Sequence, residues 1–424
     1  MKKRVVITGM GVVAPNAVGL RDFGSALREM KSGIRFFPEL EKLKFSCQIG
    51  GKPEISEDLL SNYFTPLQLR GLNSSGIVYG VVAGTDAWLD AGLEIQENGS
   101  PDWDSGIIFG TGILGVDKFR EAIQLIDQGK TRRLGSTSVV QTMASGISAY
   151  LGGILGCGNQ VTTNSSACTT GTEALLMGFE RIQNGKAKRM LVGSCSDHGP
   201  YVWGGFDAMR ILPSKYNKEP GQASRPMSET ASGFVPGSGA GALLLEELDS
   251  AIDRGARIYC EVLGGDINSG GQRGEGSMTA ANSEAVIRCI SKALENSEIE
   301  VSDIDVINGH LTATTRDSVE VENWTKALGR TANDFPYINS LKSMTGHCLS
   351  AAGSIECVAS VLQIYNQYIF GNLNCEDKHP EILDLINPDK IPNNTIEQKI
   401  NVLAKASFGF GDVNAVAIFK RYKS

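Results

Sequence analysis

The sequence predicts an α/β fold built from two similar halves, each a sheet with helices on both faces. Three observations predict it. Aliphatic runs that end in small residues alternate with helical runs along the chain. The order of these runs in the first part returns in residues 257–421, a self-similarity of about half-chain length. Fifty glycines in 424 residues imply many tight turns and close backbone crossings. The halves are placed at residues 1–255 and 256–424.

In the first half, residues 4–15 (RVVITGMGVVAP) read as a buried strand with a glycine turn. Residues 20–64 are polar and irregular, as a surface insertion would be. Thr65-Pro66 starts a helix, with proline in its first turn, and the run to about residue 91 reads as one buried helix. Residues 102–112 form a strand ending in a glycine turn, and 116–128 a helix. Residues 134–160 read as loops around a small-residue helix. Residues 165–182 (SSACTTGTEALLMGFERI) set Cys168 between small residues ahead of an amphipathic helix. Residues 189–197 are a buried strand, 198–232 are rich in loops, and 233–248 are a glycine turn feeding a strand. The G-S-G-A-G run there is no phosphate cradle, because strand-like LLLEE follows it instead of a helix.

The second half repeats the pattern. Residues 257–269 resemble 4–15, and 280–296 are an amphipathic helix. Residues 301–310 parallel 102–112. Residues 335–365 parallel the Cys168 stretch as strand, reactive-looking loop and small-residue helix. Residues 401–421 close with two strands around a glycine turn.

Composition narrows the function. A net charge of −7 excludes bulk affinity for nucleic acid or an anionic membrane. The apolar part of MKKRVVITGMGVV is short and broken by Gly9 and Gly11, so it reads as a strand and not as a signal peptide. No stretch reaches the ~18 apolar residues of a membrane span. Nine cysteines with no C-x-x-C pair argue against a disulfide framework and a zinc site, and fit a reducing cytoplasm. The sequon at Asn98 then carries no glycan.

Cys168 is the first candidate for chemistry. Thr169, Thr170 and Gly171 can form the first turn of the helix, which gives the sulfur free backbone N–H groups and the positive end of a dipole. That setting favours the thiolate. The alternative is a small apolar filler, as most cytosolic cysteines are. Of four histidines, His310 and His347 end aliphatic strands in loops that mirror the Cys168 loop. Each alone would read as a structural hydrogen-bonding group. Together with Cys168 they make a nucleophile and two imidazoles able to donate to a developing oxyanion. Zinc held by one cysteine and two histidines is the competing account, and no close ligand pair supports it.

SSACTTG, NGHLTATTRD, KSMTGH and SFGFGD, in that order and spacing, resemble the β-ketoacyl-acyl carrier protein synthases of the elongating type, condensing enzymes of the thiolase fold. The resemblance runs nearly end to end, from VVITGMGVVAP through ASRPMSETASGFVPGSGAGALLLEE to the final strand. It implies a layered α-β-α-β-α architecture, a Cys168-His310-His347 site, substrates carried on the phosphopantetheine of an acyl carrier protein, no other cofactor and no metal. It implies that Lys342 holds the site's electrostatics and that Glu320 is a buried carboxylate. It implies that Thr312 and Thr314 bind pantetheine, that Phe410 gates the site and shares the oxyanion hole with Cys168, and that Ile113 lines the acyl pocket. Arg210 matches a carrier-docking arginine; near residues 65–75 that basic cluster is thin, with only Arg70. The family forms homodimers, and some members pair with an inactive sister subunit. Read from position alone, Lys342 is a surface lysine, Glu320 a helix charge, Phe410 core and Ile113 an ordinary aliphatic.

Departures from the pattern are Leu311 after the first histidine, a segment to Asp317 that is one residue shorter, and Asp412-Val413 in the last glycine loop. They leave the chemistry and put substrate and partner in question. A specialised polyketide or polyene pathway stands beside fatty acid synthesis. The rival from another class is a non-catalytic, chain-length-factor-like subunit.

Overall fold

The computed structural model describes residues 2–95 and 99–423. Asn98 lies outside the described residues. The first half holds strands β1 (Val5–Ala14), β2 (Ser105–Thr111), β3 (Val161–Thr162), β4 (Arg189–Ser196) and β5 (Gly239–Glu247). The second half holds β6 (Cys260–Ser269), β7 (Val306–Asn308), β8 (Tyr337–Asn339), β9 (Val402–Gly409) and β10 (Val413–Lys420). The main helices are α1 (Ser75–Asp90), α2 (Val116–Asp127), α3 (Gly146–Leu155), α4 (Thr170–Gln183), α5 (Ser283–Asn296), α6 (Asp317–Leu328) and α7 (Ala352–Asn366).

Strand order runs β8-β7-β9-β10-β6-β1-β5-β4-β2-β3, with Ala17–Val18 pairing on β1 outside this path. Counted within its half, each array has the same order, third-second-fourth-fifth-first. In each, the second strand pairs parallel with the third and fourth, and the remaining pairs are antiparallel. A register shift falls between the first and fifth strands of both arrays. The sequence pattern implied two separate sheets. Here the arrays join edge to edge through Val5–Val262, Val6–Glu261 and Ile7–Cys260.

Helices α4 and α7 fill the central layer between the arrays, α1 and α3 cover the outer face of the first, and α5 and α6 that of the second. Both faces of each array are therefore buried, which is why the strands are continuously apolar instead of alternating. On β2, Ile108 packs into the central cluster with Leu175 and Val358, while Ile107 and Phe109 pack outward with Val81 and Leu151.

Three local readings change. Residues 4–15 contain no glycine turn; β1 is unbroken. A Cβ at Gly11 would stand 2.0 Å from the Ala83 carbonyl oxygen, so the glycine is there to let α1 lie against the strand. The single helix expected over 66–91 is two, Pro66–Gly71 and α1, separated where Leu72 turns extended and Asn73 N–H donates to Gln141 at 2.8 Å. The insertion 20–64 is more ordered than its polarity implied: it holds the helix Leu20–Arg28, with Phe23 and Leu27 buried, and a small strand pair, Ile34–Phe36 with Ile49–Gly51. No helix among the described residues is long and apolar enough to cross a membrane.

Candidate active site

Cys168 sits in a single 3-10 turn, Ala167–Thr169, that leads directly into α4. Ala167 has φ +50°, a left-handed conformation that costs an alanine about 1 kcal/mol or more. Thr170 holds the turn: its hydroxyl donates to the Ala167 carbonyl at 2.7 Å and accepts the Ser166 N–H at 2.9 Å. The strained turn lifts the sulfur toward the second half of the chain. There the β9 end comes close enough that a Cβ on Gly409 would lie 3.1 Å from the Cys168 nitrogen. That approach brings the Phe410 N–H, beside the Cys168 N–H, onto the sulfur.

His347 and His310 arrive from the loops after β8 and β7. The His347 Nε2 is 3.2 Å from Cys168 Sγ, and its Nδ1 accepts the Leu349 N–H at 3.1 Å. With Nδ1 occupied as an acceptor, the neutral ring carries its proton on Nε2, aimed at the sulfur. The rings of His310 and His347 lie 5.4 Å apart at 83°. The donor atoms of Cys168, His310 and His347 all fall within 4.8 Å of one another. Burial, then the charges of Lys342 and Lys405, push both imidazoles well below their ordinary value, with each other's proximity adding for His310, so both are neutral at pH 7.

The sulfur departs from the expectation of a ready thiolate. Burial pushes the Cys168 thiol up to about 11, outweighing the backbone N–H groups of Phe410 and Cys168 and the charge of Lys342. Cys168 is half-buried at the cavity wall, and the water lost around its sulfur outweighs the helix N-terminus. Alkylation of Cys168 by iodoacetamide should therefore rise about tenfold per pH unit from pH 7 to 10, as the thiolate fraction does below the pKa. A rate that levels off near pH 7, followed by mass spectrometry of the Cys168 peptide, would restore the ready thiolate.

Lys342, expected from position alone at a surface, is 1% exposed. Its ammonium donates to the His310 carbonyl at 2.6 Å and pairs with Glu356 on α7. Glu320 is buried too. Its carboxylate accepts the N–H groups of His310 and Leu311, both at 2.7 Å, while burial pushes it up to about 7 against those two bonds. Asp317 accepts the N–H groups of Thr312 and Ala313. The two carboxylates explain how Leu311 is tolerated. Its φ is +23°, that of Ala313 is +62°, and the loop is pinned through its own amides while the leucine side chain fills the outer core.

Cys168, His310, His347, Asp317 and Glu320 line a cavity of about 720 Å³. One part is apolar, lined by Ile113, Val202, Phe206, Met209 and Phe234; another carries Thr312, Thr314 and Arg316. The two threonine hydroxyls are 3.1 Å apart. Phe410 lines the cavity against Phe206, with ring centres 6.2 Å apart. Ile113 lines it too and is 53% exposed. Arg210 and Arg70 are exposed and outside the lining; Arg210 directly follows Met209. Helix Pro200–Ala208, in a stretch read as loops, supplies part of the apolar wall.

Asp412 is fully buried at φ +61°. Its carboxylate accepts the N–H groups of Gln272 (2.9 Å) and Asn282 (2.8 Å), its carbonyl accepts that of Gly270 (3.0 Å), and Gly411 donates to Met278 (2.8 Å). The Phe410 loop is thus tied to residues 270–282, of which Thr279 and Ala280 line the cavity. Asp412→Ala removes the acceptor of the Gln272 and Asn282 N–H groups, on an exposed and a half-buried residue, at the net worth of about 0.5–1.5 kcal/mol for each hydrogen bond. Urea unfolding should show a loss of about 1–3 kcal/mol. Hydrogen exchange should speed up in 270–282 and 409–413 ahead of the rest of the chain. Unchanged exchange in those segments would remove the tie.

Sequence reasoning missed Glu356 and Lys405. The signal for Lys405 was present: a lysine inside the aliphatic strand NVLAKASFG has no solvent to reach.

The sequence model for the β-ketoacyl synthase N-terminal domain matches residues 2–251, and that for the C-terminal domain matches 259–376. The chain belongs to the β-ketoacyl synthase family. This synthase is 33% identical to a 3-oxoacyl-[acyl-carrier-protein] synthase 2 of Synechocystis, over 100% of this chain and 99% of that one. The ishigamide ketosynthase/chain length factor superimposes with a TM-score of 0.88 at 26% identity, covering 100% of both chains. A type II polyketide ketosynthase, solved with its acyl-carrier protein and bound to a hexaketide, gives 0.87 at 28% identity, again over 100% of both. The thiolase-like fold is thereby shared. The synthase is an acyltransferase that condenses malonyl units with acyl chains, the reaction of fatty acid and polyketide synthesis.

Proposed function

We propose that this synthase elongates carrier-bound chains with Cys168 as nucleophile and His310 and His347 as donors to the malonyl thioester oxygen. The observation that carries the reading is the convergence of these three groups, from both halves, beside the N–H groups of Cys168 and Phe410 in one cavity. The sulfur attacks the acyl carbonyl of an acyl carrier thioester. The oxyanion accepts from the two backbone N–H groups, and the carrier sulfur leaves with the proton of Cys168. A malonyl carrier follows. Loss of CO₂ leaves an enolate, held by N–H groups of the two neutral imidazoles. Its carbon attacks the acyl-cysteine carbonyl, and Cys168 departs from the 3-oxoacyl product. Neutral imidazoles suit this step, because an imidazolium would protonate the carbanion before it attacked.

In this reading Lys342 and Glu320 are positioning residues for the His310 loop. Thr312 and Thr314 bind the pantetheine amides, Phe410 gates the cavity, and Ile113 borders the acyl chain. Arg210 and Arg70 contribute to carrier docking. Lys130, Arg132 and Arg133, exposed and without a carboxylate partner among the described residues, add charge for an acidic carrier. No metal or cofactor is required beyond the carrier's phosphopantetheine. The nucleophile half is 1–255 and the histidine half 256–424. A second copy, or a related subunit, covers the exposed row Phe119, Ile123 and Ile126 on α2 and the end strand β3. The site of action is the cytoplasm.

The departures at Leu311 and Asp412 set a specialised polyketide or polyene pathway beside general fatty acid synthesis as the role of this synthase. The test is incubation with malonyl and acyl carriers of varied length and unsaturation, with products read by mass. Polyunsaturated primers should be extended. Efficient extension of saturated chains with none of polyenes would overturn the specialised assignment, and no extension of any primer would favour a non-catalytic partner subunit.

A further inference from the structure

Lys405 is a fully buried charged side chain of β9, next to the site, that the mechanism above does not use. On β9 the even positions, Val402, Ala404, Ala406 and Phe408, pack into the outer core, and Leu403 packs into the central one. Lys405 shares the face of Leu403, so it points inward, and it is 0% exposed. Its ammonium lies 2.8 Å from Glu356 Oε2, an ion pair without hydrogen-bond alignment, and donates to the Ala406 carbonyl and to Ser407 Oγ at 3.1 Å. The other oxygen of Glu356 is taken by Lys342, which holds the His310 carbonyl. Ser407 in turn meets Thr172 of the Cys168 helix at 2.9 Å. One buried carboxylate thus faces two buried ammoniums. A carboxylate can neutralise only one of them, and burying the excess charge is unfavourable for folding. An apolar side chain, like that of Leu403 two residues before, would serve packing better. The cost is borne beneath the site where negative charge develops.

We propose that Lys405 is a positioning residue of the condensing site: it holds the second oxygen of Glu356 so that Lys342 stays aimed at the His310 loop, and it adds a second positive charge behind the imidazoles where enolate and oxyanion form. Fixed charge in a water-poor site acts on a transition state without reorganising. The inference rests on the elongating reading above.

Other charges stand around the loops that carry these imidazoles. Lys342 approaches from the loop after β8, Glu356 from α7, Glu320 and Asp317 from α6, Arg316 from the cavity wall, and Cys168 from the first half. Burial is the largest cause of their neutrality, and Lys405 adds to it in the same direction for both rings. Its removal therefore moves imidazole protonation to higher pH, and the acid limb of the rate profile should follow.

The test compares the full-length protein with Lys405→Met, Lys405→Gln and Lys405→Arg. It measures CO₂ release from a malonyl-loaded acyl carrier protein between pH 5 and 9, with thermal unfolding in parallel. Lys405→Met and Lys405→Gln should lower kcat by ~10–100-fold with KM within about twofold, as loss of a preorganised charge does. Their acid limb should move up by about one pH unit. Lys405→Arg, which keeps the charge, should recover most of the rate and the wild-type limb. Folded Met and Gln variants with wild-type kcat and pH profile would overturn the proposal. So would unfolding of both, which would assign the lysine to the fold alone. A wild-type protein that releases no CO₂ would instead bring down the elongating reading itself.

Discussion

Cys168→Ala should abolish condensation, lowering turnover by at least ~10⁴-fold, while leaving a folded protein. The effect is this large because the acyl chain has no other covalent seat. Among the remaining thiols with a stated value, Cys47, Cys157, Cys348, Cys357 and Cys375 are pushed to about 12, above Cys168 at about 11. Most of them are also buried away from the cavity. Removing one sulfur beside an open cavity costs the fold about 1 kcal/mol, because little packing is lost there. Urea unfolding together with condensation assays separates the two effects. Residual condensation above a hundredth of the wild-type rate would show that another group carries the chain.

His310→Ala should remove malonyl decarboxylation, with a loss of ~10²–10³-fold expected for one donor to a developing oxyanion. Acylation of Cys168 should survive, because the oxyanion of that half-reaction faces the Cys168 and Phe410 N–H groups and not the imidazole. The pins on the loop are backbone amides and the carbonyl of residue 310, which alanine keeps. The variant should therefore separate the half-reactions: acyl-enzyme forms, and CO₂ release from a malonyl carrier stops. Decarboxylation at the wild-type rate would remove the role assigned to His310.

The duplicated architecture was legible because it writes itself into hydrophobic runs, and those runs recur. What the runs could not show is the edge pairing of β1 with β6, since three residue pairs leave no mark on a strand buried on both faces. Glycines misled for a related reason. Gly9 and Gly11 read as a turn, whereas they create room for a helix, and a missing Cβ looks the same in either use. The break before α1 was hidden because Leu72 continues the apolar pattern, and only the distant Gln141 reveals the extended residue.

In the site, the identities of Cys168, His310 and His347 followed from residue type and loop position, and their convergence needed the fold. The ionisation of Cys168 ran the other way. A helix start favours a thiolate, but the amount of water left around the sulfur is a tertiary quantity, and burial wins. Lys342 and Glu320 were unremarkable charges in the sequence because their partners, Glu356 and two backbone amides, are supplied by other elements. Asp412 stood out as a departure, while its bonding to residues 270–282 did not.

The central claim is that Cys168 carries the growing chain. Its most direct test is to mix the protein with an acyl-loaded carrier protein, quench, digest, and read the peptides by mass. The account predicts one acyl group per chain, on the peptide that contains Cys168 and on no other cysteine. An acyl group on a different residue, or none while the carrier remains loaded, would contradict it.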